Sequence, residues 1–202
     1  FIRNTLNTIR WMAELKGAAG ISKAISAFIC MINYSFSGID HAVSLRDELF
    51  YLEKYIYIQK LRYQNLFTYE AQVPGELLDA QIPKLILQPI VENAVKHGAM
   101  KREHGVVTIT GRFEEPGYSV VVTDNGPGLS PQALENFRQR KKEGKYGLQN
   151  VDARMRSIYG ENSGLFIDTG EDGTRVTMHF YKEPAYQTDA DKKLRTGKDD
   201  RR

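Results

Sequence analysis

Apolar residues recur in this chain at two different periods, and the switch between them divides it. Ile2, Leu6, Ile9 and Ala13 fall at spacings of four, three and four, the stripe of an amphipathic helix that ends near Gly17 and Gly20. A second stripe runs through Ile21, Ile25, Phe28, Ile32 and Phe36. The run Ser37-Gly38-Ile39-Asp40 breaks it. Ser44 with Asp47 three residues on then resembles a capping box, opening a third helix through Leu45, Leu49, Leu52, Ile56 and Tyr63. The three segments read as a helical hairpin with a long second arm. Their stripes are too broad for two helices alone to cover. The simplest burial is pairing with a second copy as a four-helix bundle, and packing on the following domain is the alternative.

After Leu66 the period shortens. Residues 67–73 read as a strand and 82–97 as a helix. Residues 106–113 and 118–124 read as neighbouring strands around the turn Glu115-Pro116-Gly117. A loop with a short helix leads to Gly147, followed by a helix over 148–158 and a strand over 165–168. After the turn Gly170-Glu171-Asp172-Gly173, a last strand spans 174–181, with Val176, Met178 and Phe180 on one face. Strands come in adjacent pairs, so the expected architecture is α+β: a mixed or antiparallel sheet with helices on one face, not a doubly wound parallel sheet. Strand composition begins near Asn65, which divides the chain into 1–64, 65–182 and a tail from 183 to 202. There is no internal repeat.

Composition narrows the function classes. The chain has 202 residues, 41% hydrophobic and 26% charged, enough for an ordinary core. No apolar stretch reaches the roughly 18–20 residues needed to span a bilayer, and no signal sequence opens the chain, so the expectation is a cytosolic piece, cut from something larger. The single cysteine, Cys30, excludes an intrachain disulfide and reads as a core thiol. A net charge of +3 with scattered basic residues argues against nucleic acid. Residues 182–202 carry seven basic and five acidic side chains with almost nothing apolar, too little to offset the entropy of ordering them.

Three runs carry chemistry. On the 82–97 segment, Leu85, Ile86, Ile90, Val91, Ala94 and Val95 supply a buried side, leaving Glu92, Asn93, Lys96 and His97 within about one turn of each other. An Asn amide oxygen can complete the shell of a hydrated Mg2+, and Lys96 with His97 can neutralise phosphate oxygens. A solvated helix face with a Glu92–Lys96 pair is the plainer alternative. The second run is Asp124-Asn125-Gly126-Pro127-Gly128, at the end of Val120-Val121-Val122-Thr123. Its carboxylate can accept from a purine amine while glycines let the ring lie against the chain, although the same residues would also form a plain turn. The third, Gly144-Lys145-Tyr146-Gly147-Leu148-Gln149-Asn150-Val151, sets glycines ahead of a helix whose N-terminal amides could face phosphate. In this order the three read as an ATP site.

The chain resembles the cytoplasmic kinase part of a sensor histidine kinase of the YesM/LytS type, within the gyrase, Hsp90, histidine kinase and MutL superfamily. The likeness covers about nine tenths of the chain and is carried by Asn4-Thr5-Leu6-Asn7, Tyr57-Ile58-Gln59-Lys60-Leu61-Arg62-Tyr63, and Pro83 with Leu87-Gln88-Pro89-Ile90-Val91-Glu92-Asn93-Ala94-Val95-Lys96-His97-Gly98. The Asp124 glycine box, Gly147-Leu148-Gln149-Asn150-Val151 with Arg154, Tyr159-Gly160 and Gly173-Thr174 continue it.

What the resemblance implies is an ATP cleft in a Bergerat-type α/β sandwich behind a helical dimerisation hairpin. Asn93 would hold Mg2+, Lys96 and His97 would line phosphates, and Asp124 would read the adenine amine. Gly126 and Gly128 would shape the adenine floor, Gly147 and Leu148 would hinge and close a lid, and Thr174 would support the pocket. Glu92 belongs to the motif as a possible catalytic residue without an assigned role. A homodimer through the N-terminal helices, a response-regulator receiver domain as partner, and a membrane tie only through upstream segments are also implied.

The accepting histidine of such kinases directly precedes a run like Phe1-Ile2-Arg3-Asn4-Thr5-Leu6-Asn7. The acceptor would therefore be the residue just before Phe1, and none of His41, His97, His104 or His179 matches it. Arg3 replaces an aromatic residue, and Lys145-Tyr146 stand where a glycine and a small aliphatic residue are common. Hydrolysing members of the superfamily carry a glutamate one turn before the metal-binding Asn, where this chain has Pro89. That favours a kinase over a MutL- or Hsp90-like ATPase. A nucleotide-binding dimerisation module without transfer chemistry is the non-enzymatic alternative.

Overall fold

In the computed structural model the residues described are 1–36, 42–139 and 147–181. The Ser37–Asp40 break, His41, the Gly144-Lys145-Tyr146 run and the tail lie outside them. Helices α1 (Ile2–Leu15) and α2 (Ala19–Phe36) are separated by a break in which Gly17 takes φ 68°. Ser22 Oγ of α2 donates to Glu14 Oε1 of α1 at 2.8 Å across that break. Helix α2 is 18 residues long with a mean hydropathy of 1.2, enough by length and composition alone to span a bilayer, which corrects the sequence expectation. Its inner side nevertheless docks on protein: Tyr34 stacks on Tyr51 of the third helix, and Lys23 lies over the ring of Tyr57.

The third helix, α3 (Leu45–Arg62), starts as its sequence dictates. Ser44 is the N-cap, its Oγ accepting the Asp47 N–H at 3.1 Å, and Asp47 and Glu48 supply negative charge to the first turn. Its stripe of Leu45, Leu49, Leu52 and Ile56 is buried in the same core as the sheet. For α3, then, the alternative of packing on the following domain applies. The first two helices keep large apolar side chains in solvent, among them Ile9, Trp11, Met12, Leu15, Ile21 and Phe28.

A five-stranded sheet follows, in the order β2 (Phe67–Gln72), β4 (Gly105–Glu114), β5 (Gly117–Asp124), β7 (Gly173–Phe180), β6 (Gly164–Gly170). The β2–β4 pair is parallel and the other three are antiparallel, so the sheet is mixed, as its adjacent strand pairs imply. Alternation sorts the side chains. Val107 and Ile109 of β4 and Val176, Met178 and Phe180 of β7 are buried under helices, while Thr108 and Thr110 face the other way. Helix α6 (Gly147–Tyr159) buries Val151, Met155 and Tyr159 on this layer, and Asp152 Oδ1 accepts the Leu165 N–H of β6 at 2.9 Å.

The expected helix over 82–97 starts later. Residues Gln81–Pro83 form β3, paired antiparallel with β1 (Ala42–Ser44), a two-stranded ribbon the hydrophobic pattern did not reveal. Leu85 takes φ 59°, and α4 (Gln88–Asn93) begins only after that turn, with Pro89 in its first turn. Helix α4 then widens into a π-helical turn over Ala94–Gly98, a departure that recurs at functional sites.

Candidate functional site

The described residues line a cleft of about 430 Å3 between the sheet and three helical walls. Val122 and Asp124 of β5 with Thr174 and Val176 of β7 form its floor. Ile90, Asn93, Ala94, His97 and Gly98, from α4 and its π turn, form one wall. Leu129 and Ser130 lead into α5 (Pro131–Arg138), which adds Ala133, Asn136 and Phe137, and Leu148 with Gln149 come from the start of α6. Helix α5 begins where it does because Ser130 accepts the Ala133 N–H at 3.2 Å and Pro131 occupies the first turn.

Asp124 is the one buried carboxylate of the floor, 7% exposed. Burial pushes its carboxyl above the usual carboxylate range, and backbone hydrogen bonds from Gly126 and Thr174 pull the other way. The Gly126 N–H donates to Asp124 Oδ1 at 2.8 Å. Gly98 is required by close approach: a Cβ there would stand 2.2 Å from both Cγ and Oδ1 of Asp124. Gly128, at φ 77°, packs under the β6–β7 turn, where a Cβ would lie 2.2 Å from the Gly170 carbonyl oxygen.

The loop after Asp124 is pinned at both ends. Asn125 Oδ1 accepts the Val106 N–H at 2.7 Å, and Asn125 Nδ2 donates to the His104 carbonyl at 2.8 Å. Arg102 donates to the carbonyls of Asn125, at 3.1 Å, and of Gly126 and Glu171. Thr169 Oγ1 takes the Leu129 N–H at 2.8 Å and lies 3.2 Å from Thr174 Oγ1. A floor held this rigidly presents the carboxylate in a fixed direction with little entropy left to lose on binding.

Of the site residues expected from sequence, Asn93, His97, Asp124, Gly128, Leu148 and Thr174 come together on the cleft. Gly126 sits behind the carboxylate, against Gly98, and Gly147 lies beside Asn93, its Cβ position 3.7 Å from the Asn93 amide nitrogen. Lys96 is outside the lining, in an ion pair with Glu92. Burial raises the Tyr55 and Tyr51 hydroxyls of α3, and the charge of Glu92 adds to both. Sequence reasoning missed Gly98 as a packing residue, Asn125 and Arg102 as anchors, and the whole α5 wall. A glycine inside a helical run, costing about 1 kcal/mol against alanine, was the available signal for Gly98.

Chemically, the cleft offers an apolar slot with one directional acceptor at its base, the fit for a flat ring bearing an amine donor. Asn93 and His97 add an amide and an imidazole on the adjoining wall. Among the described residues no group of three or more His, Cys, Asp and Glu side chains forms a metal cage. A divalent ion there would therefore depend on the Asn93 amide, water and ligand oxygens, a donor set that suits Mg2+.

The matches to known proteins agree in kind. Residues 78–184 match the family described as histidine kinase-, DNA gyrase B-, and HSP90-like ATPase, and residues 1–67 match the family described as histidine kinase. The sensor protein kinase HptS of Staphylococcus aureus is 30% identical over 198 residues, covering 95% of this chain and 37% of that protein. The chain spans about a third of the length of the curated relatives it matches. Among solved structures, the histidine kinase domain of the Erythrobacter litoralis EL346 blue-light activated histidine kinase superposes with a TM-score of 0.53 at 18% identity, covering 83% of this chain and 82% of that one. Histidine kinase ThkA, solved in complex with response regulator protein TrrA, superposes with a TM-score of 0.51 at 19% identity, over 68% of this chain and 40% of ThkA. A helical segment, a mixed sheet under helices and an Asn93–Asp124 cleft thus coincide with two consecutive family matches, and the chain belongs to the histidine kinases, with an ATPase domain of the histidine kinase, DNA gyrase B and HSP90 type.

Proposed function

We propose that this chain binds Mg-ATP in the cleft and transfers the γ-phosphoryl group to a histidine, for relay to a response-regulator aspartate. The observation that carries the reading is one cleft uniting a buried carboxylate on an apolar floor with Asn93 and His97 on the wall beside it. Asp124 accepts from the exocyclic amine of adenine, Ile90, Val122 and Val176 exclude water around the ring, and Thr174 supports the floor. Asn93 gives Mg2+ one ligand, His97 lies toward the phosphates, and Lys96 joins them by exchanging its Glu92 partner for phosphate oxygens. Gly147 and Leu148 hinge and close the α6 side. Bound Mg2+ supplies charge neutralisation on the phosphates.

Transfer to an imidazole nitrogen needs alignment and neutralised charge, not an activated water. Pro89, one turn ahead of Asn93, carries no side-chain base, which supports kinase over hydrolysing clamp. The resemblance puts the accepting histidine immediately ahead of Phe1. Residues 1–64 are the dimerising and phosphate-accepting part, pairing two copies through the exposed apolar face of α1 and α2. Residues 65–182 bind the nucleotide. The receiver domain of a response regulator is the onward partner, a reading supported by the solved complex of ThkA with response regulator protein TrrA, and the chain works on the cytoplasmic side of a membrane-tethered sensor.

The deciding experiment uses a protein extended upstream by one helical turn and incubated with labelled ATP. An acid-labile, base-stable label on the protein is the expected result. Steady ATP turnover without phosphoprotein would instead indicate a clamp ATPase, and binding that never leads to labelling would indicate a non-catalytic module.

A further inference from the structure

Helix α4 carries Asn93 yet has no side-chain cap of its own. Its lead-in is held from elsewhere. Glu48 of α3, completely buried, accepts the Leu85 N–H on Oε2 at 2.9 Å and the Leu87 N–H on Oε1 at 3.1 Å. One turn along α3, Tyr51 OH donates to Gln88 Oε1 at 2.7 Å. The sharp turn at Leu85, with φ 59°, sits inside this grip, a conformation that a non-glycine residue keeps only when its surroundings enforce it. Arg154 of α6 donates to the Lys84 carbonyl at 2.6 Å, so the helix that brings Leu148 and Gln149 to the cleft hangs on the same segment.

The grip also reaches α2. Tyr34 OH donates to Glu48 Oε2 at 2.7 Å while its ring stacks on Tyr51 and lies 4.8 Å from the buried Lys84 ammonium. A carboxylate with no exposed surface is costly unless donors and countercharge surround it. Burial raises the Glu48 carboxyl, and its three donors together with the Arg154 charge oppose that rise. A carboxylate suits this position because it takes the two N–H groups on separate oxygens, whereas Gln has an NH2 donor in place of one of them.

We propose that Glu48 is a positioning residue of the nucleotide cleft: from α3 it fixes the start of α4, and the Tyr34 hydroxyl ties that grip to α2. The proposal rests on the ATP reading above. Its consequence is that a shift of α2 changes nucleotide affinity without any residue of α2 lining the cleft.

Glu48→Gln keeps the shape but turns an NH2 donor toward one of the two N–H groups. In the full chain, titrated with a fluorescent ATP analogue and Mg2+, the affinity should fall by about tenfold or more. Leu77→Ala, a core truncation between β2 and β3, serves as a comparator: it should lower the melting temperature yet leave the affinity within about twofold of wild type. Tyr34→Phe keeps the ring stack and should weaken binding by about threefold, with the Asn93 side-chain amide resonance shifted. The inference is overturned if Glu48→Gln folds and binds as tightly as Leu77→Ala, or if Glu48→Gln does not fold and Tyr34→Phe binds as wild type. If wild type itself fails to bind the analogue, the ATP reading falls first and this inference with it.

Discussion

Replacing Gly98 by alanine tests the cleft at its tightest point. The added Cβ would stand 2.2 Å from Cγ and Oδ1 of Asp124, whereas carbon contacts settle near about 3.5 Å, so atoms must separate by about 1 Å. The carboxylate is not free to yield at no cost, because its Oδ1 holds the Gly126 N–H at 2.8 Å and Gly126 itself abuts Gly98. Two responses are open. If the backbone gives way, the overpacking costs ~1–3 kcal/mol, which at about 2–4 °C per kcal/mol is a measurable drop in melting temperature. If the carboxylate turns aside, it gives up the Gly126 N–H instead, at ~1.5–3 kcal/mol. In both cases a hydrogen bond displaced by about 1 Å is beyond useful range. Losing a hydrogen bond to a charged group is worth ~1.5–3 kcal/mol, or about 10- to 150-fold in ATP affinity. Titration of Gly98→Ala with a fluorescent ATP analogue, beside a thermal melt, reads both quantities. Wild-type affinity in the folded variant would refute the assignment of Asp124 as the nucleotide's acceptor.

Asp124→Asn should weaken ATP binding by about tenfold or more, ~1.4 kcal/mol, while its stability follows a defined pH course. Because burial raises the Asp124 carboxyl in the folded state, wild type and variant should be closest in stability below the ordinary carboxylate range. The variant should gain on wild type as pH rises through the raised value; a denaturation series showing the opposite trend would contradict the burial argument. Asn93→Ala should selectively impair binding measured with Mg2+, and equal losses with and without the ion would reject Asn93 as the metal ligand. Sedimentation should show a dimer that Ile9→Glu with Met12→Glu converts to monomer while nucleotide affinity is retained, since both side chains are exposed on α1 away from the cleft; a wild-type monomer would remove the pairing of α1 and α2.

Local chemistry was legible in the sequence wherever a residue's neighbours along the chain decide its conformation. The stripe of α1, the Ser44 cap of α3, the turn at Gly170–Gly173 and the inward set Val176, Met178 and Phe180 all follow from period, capping and turn chemistry over a few residues. The three runs likewise singled out Asn93, His97, Asp124, Gly128 and Leu148, the family resemblance added Thr174, and the fold gathers these on one cleft. Tertiary contacts decided the rest. Ile82 and Pro83 read as helix but pair with Ala42 and Val43, some forty residues earlier, because a distant strand offered their backbone a partner. Lys96 follows the same motif as His97, yet it lies outside the cleft lining and takes the Glu92 pair that the sequence left open as the plainer alternative. Nothing in the sequence singles out Glu48, one of two acids in the first turn of α3. Only the folded chain, bringing Leu85 and Leu87 against it from beyond β3, makes it the acceptor from which α4 hangs.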